Sequence, residues 1–304
     1  MFTVFNEIKK NKYLYVLALP AIIFLIMFAY IPLSSYVLAF KKYRLADGIW
    51  GSEWVGFENF KFFFGSRDWI DITVNTLYLN VLFLTFGLTF ALLLSIFLNE
   101  ILLVKVKKIF QSFIFLPYFI SWLVISFMVF MVFNSNNGLA NEILKMFNLE
   151  PVLWYQKAEL WPPILTIISI WKNAGYNSII FLSAITAISS EYYESAKIDG
   201  ASRVQQTIFI TLPLLRNTFL ILLLLGIGRI FYGDFGMMYG IIGDNSILFP
   251  TTDVIDTYSY RMLRQMGNFS TSSAIVLYQS VMGLVAVIIF NIITKKIDND
   301  ARLF

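Results

Sequence analysis

Two long stretches without a charged residue constrain this chain more than any other feature of its sequence. They run from Tyr13 to Phe40 and from Ile72 to Asn99. A helix of about 20 apolar residues crosses the hydrocarbon core of a bilayer, so each stretch is long enough to span a membrane. Hydrophobic residues make up 58% of the 304 positions and charged residues only 14%, a balance outside the range of soluble domains. The sequence therefore predicts an all-α polytopic membrane protein.

The alternation of apolar runs with charged loops predicts six transmembrane helices within one domain, residues 1–304. No internal repeat and no low-complexity linker divides the chain. The predicted spans are residues 13–40, 72–99, 110–133, 163–188, 217–238 and 272–293. Pro117 predicts a bend in the third span, whereas Arg229 and Asp234 interrupt the fifth.

The distribution of charge predicts that both termini are cytoplasmic. Lysine and arginine concentrate in the segments assigned to the inner side, and the outer loops carry more acids than bases, as the positive-inside rule requires. The inner basic residues are Lys9, Lys10, Lys12, Lys105, Lys107, Lys108, Lys197, Arg203, Arg216, Lys295, Lys296 and Arg302. The net charge of +4 follows from this topology and needs no nucleic-acid partner. We expect a multi-pass protein of a bacterial cytoplasmic membrane.

The chain contains no Cys and no His. The missing Cys excludes disulfides and thiol chemistry, and the missing His removes the commonest metal ligand and general base. No Gly-x-x-x-x-Gly-Lys sequence for binding nucleotide phosphates occurs either. We therefore expect no catalytic residue, no metal site and no cofactor bound by this chain, which argues against an intramembrane enzyme.

One polar stretch, residues 189–215, lies between the predicted fourth and fifth spans. Its spacing resembles the cytoplasmic coupling loop of ABC-importer permeases, whose pattern is Glu-Ala-Ala, three residues, Gly, nine residues, Ile-x-Leu-Pro. The matching positions are Glu194, Ala196, Gly200, Ile210, Leu212 and Pro213. Ser195 stands in place of the first Ala of the pattern. An ordinary surface helix-turn-helix is the alternative interpretation.

The resemblance implies partners as well as a fold. It implies that a short helix of this loop docks on a cytoplasmic ATPase subunit, and Asp199-Gly200 is by itself a helix-stop signal. The expected coupling residues are Glu194, Ser195, Ala196, Asp199, Gly200, Ala201, Leu212 and Pro213. ATP and Mg²⁺ would then belong to two partner ATPase subunits. The other implied partners are a second, homologous permease forming a heterodimer, an extracytoplasmic solute-binding protein, an oligosaccharide substrate and the lipid bilayer.

Two cations fall inside predicted spans, Lys172 in the fourth and Arg229 in the fifth. A charge near the bilayer centre costs at least about 2.5 kcal/mol, so such a residue needs a partner or water. One interpretation pairs either cation with an internal carboxylate such as Asp234, which would only hold helices together. The other places both cations at a water-filled cavity that binds the substrate.

The resemblance favours the cavity. Residues 253–274 resemble the outer loop of permeases for complex or polymeric sugars, the alginate-type branch of the maltose-permease-like superfamily. The resemblance implies that eight positions contact the substrate: Ser169, Lys172, Asn173, Tyr176, Gly226, Arg229, Ile230 and Gly233. We add the adjacent Tyr232 to this set. The cations allow an acidic oligosaccharide, moved into the cytoplasm by ATP-driven alternating access. An ion-coupled secondary sugar transporter is the alternative, and it would need intramembrane carboxylates and an inverted repeat that the sequence does not show.

Overall fold

The computed structural model describes residues 10–297, and most of these residues are helical. They form two compact units. The first contains the residues up to Ser66 together with Arg261–Leu277, and the second contains Arg67–Tyr260 together with the residues from Tyr278 onward. The terminal charges Lys9 and Arg302, which support the predicted orientation, lie outside the described residues. A single transmembrane domain over residues 1–304 stays a prediction.

The first unit opens with one long helix, α1 (Lys12–Phe40), whose side chains are exposed from Lys12 to Ser34. An apolar helix with an exposed surface of this kind suits contact with lipid. Two short strands follow, β1 (Lys41–Lys42) and β2 (Glu53–Trp54), which pair antiparallel. A helical turn at Gly48–Gly51 lies between them, and α2 (Glu58–Gly65) ends the segment.

The second unit is built around two helices, α3 (Asp68–Glu100) and α7 (Trp161–Thr186), which pack along each other. The helices between them are α4 (Val104–Phe115, extended by a 3₁₀ turn at Leu116–Phe119), α5 (Trp122–Phe133) and α6 (Leu139–Met146). After α7 come α8 (Ser190–Ile198), α9 (Arg203–Leu214), α10 (Arg216–Ile227), α11 (Phe235–Ile242), a helical turn at Phe249–Thr252, α12 (Ile255–Arg264) and α13 (Phe269–Ile297). The end of α12 and the start of α13 fall within Arg261–Leu277 and belong to the first unit. Side chains from α3, α5, α7 and α11, such as Leu79, Ile125, Leu165 and Met238, form one buried core.

Three described helices are long and apolar enough to cross a membrane: Lys12–Phe40, Asp68–Glu100 and Phe269–Lys295. Two bent pairs raise the total to as many as five if each pair forms one span. Val104–Phe119 meets Trp122–Phe133 at 96°, and Arg203–Leu214 meets Arg216–Ile227 at 54°. Helix α7, the predicted fourth span, is less apolar, because polar side chains interrupt it. The helical membrane fold agrees with the prediction, whereas the count of six spans and the cytoplasmic termini stay predictions.

The predicted fifth span, residues 217–238, is not one continuous helix. Helix α10 ends at Ile227, residues 228–231 form turns, residues 232–234 are irregular, and α11 begins at Phe235. We call residues 228–234 the unwound segment. The break falls where the sequence predicted an interruption, at Arg229 and Asp234, and Asp234 caps α11 by accepting a hydrogen bond from the Met237 amide.

Two π turns each end shortly before a proline. One covers Ile26–Tyr30, ahead of Pro32, and the other covers Thr207–Thr211, ahead of Pro213. A proline ring clashes with the carbonyl four residues earlier in a regular α-helix, and the wider π turn relieves that crowding. Pro213 therefore lies within the last turn of α9, and the change of direction follows it at the junction with α10.

Candidate functional site

The second unit contains a cavity of about 830 Å³ between α3, α7, α10 and the unwound segment. Seven of the nine predicted substrate-contacting residues line it. They are Ser169, Asn173, Tyr176, Gly226, Arg229, Tyr232 and Gly233. Lys172 and Ile230, the other two, are not among the lining residues. The cavity therefore brings together the predicted face of the fourth span and the interrupted part of the fifth.

The unwound segment is held first from α3. The Asn80 side-chain amide donates to the carbonyl of Ile230 at 2.9 Å and to that of Tyr232 at 3.1 Å. Irregular backbone at membrane depth is tolerated only where its polar groups find partners. A single amide group on α3 thus satisfies two carbonyls that an unbroken helix would have satisfied itself.

The same segment is held from α12 and α13. The Gln279 amide donates to the carbonyl of Phe231 at 2.8 Å and to Asp256 Oδ2 at 2.8 Å. Asp256 Oδ2 also accepts the backbone N–H of Gly233 at 2.6 Å. Burial raises the pKa of the Asp256 carboxyl, and the hydrogen bonds from Gly233 and Gln279 oppose that rise by stabilising the anion.

Arg229 is the one cation among the described residues that line the cavity, and its side chain is exposed. Within the described part of the chain it makes no ion pair and no side-chain hydrogen bond. The predicted alternative, a pair with Asp234, is not formed. The two oxygens of Asp234 instead accept from the Trp122 indole at 2.7 Å and from the Met237 amide at 3.2 Å. The guanidinium is thus available to a molecule in the cavity.

Lys172 lies outside the cavity lining, although the sequence predicted that it contacts the substrate there. It is buried, with 7% of its surface exposed, and its ammonium group donates to the carbonyls of Tyr118 at 3.0 Å and Ile120. The ammonium also lies 5.0 Å from the ring centroid of Trp122. These contacts place it at the break between α4 and α5, where it satisfies carbonyls that have lost helical partners. Lys172 is directed to these carbonyls because the broken third span supplies a near set of acceptors, and its contact with the substrate stays a prediction.

Gly175, one turn after Lys172, explains how α4 comes this close to α7. A Cβ atom at Gly175 would lie 2.1 Å from the carbonyl oxygen of Ile114 and 2.8 Å from its carbonyl carbon. Only a glycine permits this approach of two backbones. The close approach brings the carbonyls after Ile114 within reach of Lys172.

Aromatic rings form part of the cavity wall. Tyr176 lines the cavity and is 43% exposed, and its ring stacks on Tyr118 at 4.7 Å between centroids. Phe115 stacks on the same two rings. Because Tyr118 and Phe115 stack against it, the Tyr176 ring is held in place at the cavity wall.

The predicted coupling loop forms two helices joined by a tight turn. Gly200, at φ +80°, ends α8, and the amides of Gly200 and Ala201 donate to the carbonyls of Lys197 and Ala196. This is the bonding pattern of a Schellman cap, which favours glycine at that position. Ser202 then starts α9 with a capping box that pairs it with Gln205.

The surface of this loop combines a groove with exposed apolar side chains. A groove of about 300 Å³ separates α8 from α9 and includes Ala196, Asp199, Gly200 and Ala201 in its wall. Ile198 is 87% exposed beside it. Glu194 and Ser195 are exposed on α8, and Leu212 and Pro213 lie in the last turn of α9. The coupling role of the eight predicted residues stays a prediction.

Sequence reasoning missed the residues that build the unwound segment and the break in the third span. Asn80, Gln279 and Trp122 each lie in an apolar run, and the amides among them were a usable signal because buried amides need partners. Asp256 was assigned to an outer loop, so its contact with Gly233 was not foreseen. Among the described residues, no group of three or more acidic side chains could hold a metal ion.

The sequence matches the family model described as binding-protein-dependent transport system inner membrane component over residues 87–299. The chain is 36% identical to protein LplB of Bacillus subtilis (strain 168), over 96% of this chain and 92% of that protein. It is 34% identical to the polygalacturonan/rhamnogalacturonan transport system permease protein YteP of the same organism, over 96% of this chain and 90% of YteP.

Solved structures give the same result. A crystal structure of a bacterial ABC transporter involved in the import of the acidic polysaccharide alginate contains a similar chain. The TM-score is 0.88 at 32% identity, covering 97% of this chain and 99% of the matched chain. The alginate transporter in complex with an alginate pentasaccharide-bound periplasmic protein matches with a TM-score of 0.87, also at 32% identity, over 96% and 97% of the two chains.

The family match covers the loop of residues 189–215 and the cavity wall from Gly87 onward, so the predicted resemblance is confirmed. This match sets aside the two alternatives from the sequence, an ion-coupled secondary transporter and an intramembrane enzyme. This chain belongs to the family of binding-protein-dependent transport system inner membrane components, and it is a multi-pass permease of an ABC importer.

Proposed function

We propose that this permease carries an acidic oligosaccharide through the cavity of its second unit. The observation that carries the proposal is the state of Arg229, an exposed guanidinium in the cavity wall with no ion pair among the described residues. A guanidinium binds a carboxylate through two parallel hydrogen bonds. Few other groups match the arrangement of its donors equally well at neutral pH. A uronic acid unit of a polysaccharide supplies such a carboxylate.

Two carboxylates, Asp234 and Asp256, also line the cavity and offset the positive charge of Arg229. Their oxygens already accept hydrogen bonds from the protein. Asp234 binds Trp122 and Met237, and both bonds to Asp256 end on Oδ2. These carboxylates are therefore stabilised as anions by donors of the protein, whereas the Arg229 guanidinium has no acceptor among the described residues. We infer that the substrate supplies it.

The remaining wall suits a sugar. Ser169, Asn173 and Asn177 offer neutral donors and acceptors for hydroxyl groups, and Tyr176 offers a flat face on which a pyranose ring can stack. The relatives support the same class of substrate. One similar structure belongs to an importer of an acidic polysaccharide, and one similar protein belongs to a polygalacturonan/rhamnogalacturonan system.

We further propose the assembly that the family implies. A second, homologous permease completes the pathway, and two ATPase subunits bind the exposed coupling loops on the cytoplasmic side, where both termini also lie. An extracytoplasmic binding protein delivers the oligosaccharide, as the structure of the similar transporter with its periplasmic protein suggests. ATP binds only the partner subunits, and closure of those subunits shifts the six-span bundle between inward-open and outward-open arrangements.

Arg229 can be tested in the assembled importer, reconstituted in liposomes with its ATPases and binding protein. The probes are a panel of oligouronides and their fully methyl-esterified forms, in which each carboxylate is replaced by an uncharged ester with one added methyl group. The wild-type importer should carry an acid and discriminate against its ester. Arg229→Gln should raise the apparent KM for the acid about tenfold or more, because a charge-assisted pair is lost, while Arg229→Lys should retain part of the preference.

Two results would refute the proposal. One is transport of neutral oligosaccharides that no oligouronide in the panel inhibits. The other is an unchanged ratio of acid to ester transport in Arg229→Gln, provided that this variant assembles with its partners and unfolds at the wild-type temperature.

A further inference from the structure

The unwound segment, residues 228–234, carries Arg229 into the cavity, yet few of its own backbone bonds hold it in place. Turn bonds run within it, such as the Arg229 amide to the Gly226 carbonyl at 3.0 Å and the Tyr232 amide to the Arg229 carbonyl at 2.9 Å. The carbonyls of Ile230, Phe231 and Tyr232 are satisfied by side chains of other helices. The position of Arg229 therefore depends on residues distant in sequence.

Among these side chains, Asn80 forms the most hydrogen bonds to the segment, two. Its amide group bridges the carbonyls of Ile230 and Tyr232, which flank the middle of the segment. Ile230 is the residue immediately after Arg229, so the bridge fixes the backbone next to the residue that carries the guanidinium. Asn80 lies on α3, which contributes to the cavity wall as well.

Two other side chains hold the middle and the far end of the segment. Gln279 binds the Phe231 carbonyl and Asp256, and Asp256 binds the Gly233 amide. Three helices thus contribute one polar side chain each, and each side chain bonds to a different part of the segment. Such a network fixes backbone geometry because a group left without its partner in a low-dielectric site is costly.

We propose that Asn80 is a positioning residue of the transport site, which sets the selectivity for an acidic sugar by holding Arg229 in the cavity. This inference rests on the proposed function of Arg229. Asn80 acts on the substrate through the unwound segment. Loss of its amide frees two carbonyls, the segment samples other conformations, and the guanidinium no longer meets the carboxylate in a fixed geometry.

The test is a double-mutant cycle in the reconstituted importer, with the best-carried oligouronide and its methyl ester as probes. Asn80→Leu keeps the approximate shape of the side chain and removes its donors. We expect it to raise the apparent KM for the acid about tenfold, with a much smaller change for the ester. In the Arg229→Gln background the same substitution should raise the KM for the acid by less than about twofold, because residues that act through one another are not additive.

The chain offers a matched control on the same helix. Asn75 also donates from its side-chain amide to two backbone carbonyls, those of Phe249 at 3.4 Å and Pro250 at 3.2 Å, but it does not line the cavity. Asn75→Leu should lower thermal stability as Asn80→Leu does and leave the ratio of acid to ester KM unchanged. Hydrogen exchange of residues 228–234 should accelerate in Asn80→Leu and not in Asn75→Leu.

The outcomes separate the two claims. If Arg229→Gln alone leaves the selectivity unchanged, the proposed function fails, and the positioning role fails with it. If Arg229→Gln abolishes the selectivity but Asn80→Leu has the same effect with and without Arg229, the proposed function stands and the positioning role is overturned. Unchanged hydrogen exchange of the unwound segment in Asn80→Leu would overturn it as well.

Discussion

Replacing Gly175 with alanine tests the closest backbone contact in the second unit. The added Cβ would lie 2.1 Å from the carbonyl oxygen of Ile114, whereas ordinary contact begins near 3.4 Å. The difference, 3.4 minus 2.1, means that α7 and α4 must separate by about 1.3 Å along this line. Because the obstacle is backbone, no side-chain rotation can relieve it.

The separation has a second cost through Lys172. Its bond to the Tyr118 carbonyl is 3.0 Å long, and an added displacement of this size exceeds the range of a hydrogen bond. Overpacking costs about 2 kcal/mol and the lost hydrogen bonds about another 2 kcal/mol, while the higher helix propensity of alanine returns about 1 kcal/mol. We therefore expect Gly175→Ala to reduce stability by about 3 kcal/mol.

The assay is thermal unfolding of the purified protein in detergent, followed by intrinsic tryptophan fluorescence. Gly175→Ala should unfold several degrees below the wild type. Gly87→Ala is the matched control, because Gly87 also lies inside a helix and a Cβ there would meet nothing within 4 Å. It should unfold at or above the wild-type temperature. If Gly175→Ala is as stable as Gly87→Ala, the two backbones are not in contact and the account of Lys172 loses its basis.

Two further substitutions separate structural from functional roles. Lys172→Met removes the donors at the α4–α5 break but keeps an unbranched side chain of similar length. Stability should fall by about 1–3 kcal/mol, while the ratio of acid to ester KM stays at the wild-type value. A changed ratio in a stable variant would show that Lys172 is a substrate ligand. Gly200→Ala places a Cβ at φ +80°, which should cost about 1–2 kcal/mol, loosen α8 and lower substrate-stimulated ATP hydrolysis in the importer. Gly200→Asn should lower it less, since asparagine tolerates this backbone conformation, and equal losses in the two variants would contradict a backbone origin.

The coupling loop shows how far local signals reach. Asp199-Gly200 predicts the end of a helix from the conformational freedom of glycine alone, and the structure places Gly200 at positive φ in a Schellman cap. The membrane character of α1 and α3 likewise follows from uninterrupted apolar runs. These properties depend on neighbours in sequence, so composition and spacing suffice to predict them.

The two intramembrane cations show where such signals end. Both were predicted to face one cavity, because spacing and depth treat Lys172 and Arg229 alike. Tertiary structure separates them: the break after Phe119 presents carbonyls to Lys172, whereas Arg229, on the unwound segment, lines the cavity. The direction of a long side chain is decided by its nearest acceptors, which spacing along one helix does not reveal.

What the sequence determined by itself is the class of the protein: a helical membrane permease, encoded in apolar run lengths and in six positions that match the loop pattern of the family. What only the tertiary structure decided is how the cavity is built. The bond from Asn80 to the Ile230 carbonyl joins residues 150 positions apart, and the bond from Gln279 to the Phe231 carbonyl joins residues 48 positions apart. The unwound segment exists because these distant side chains satisfy its backbone hydrogen bonds. The pattern of polar and apolar residues along the sequence does not reveal which amide bonds to which carbonyl.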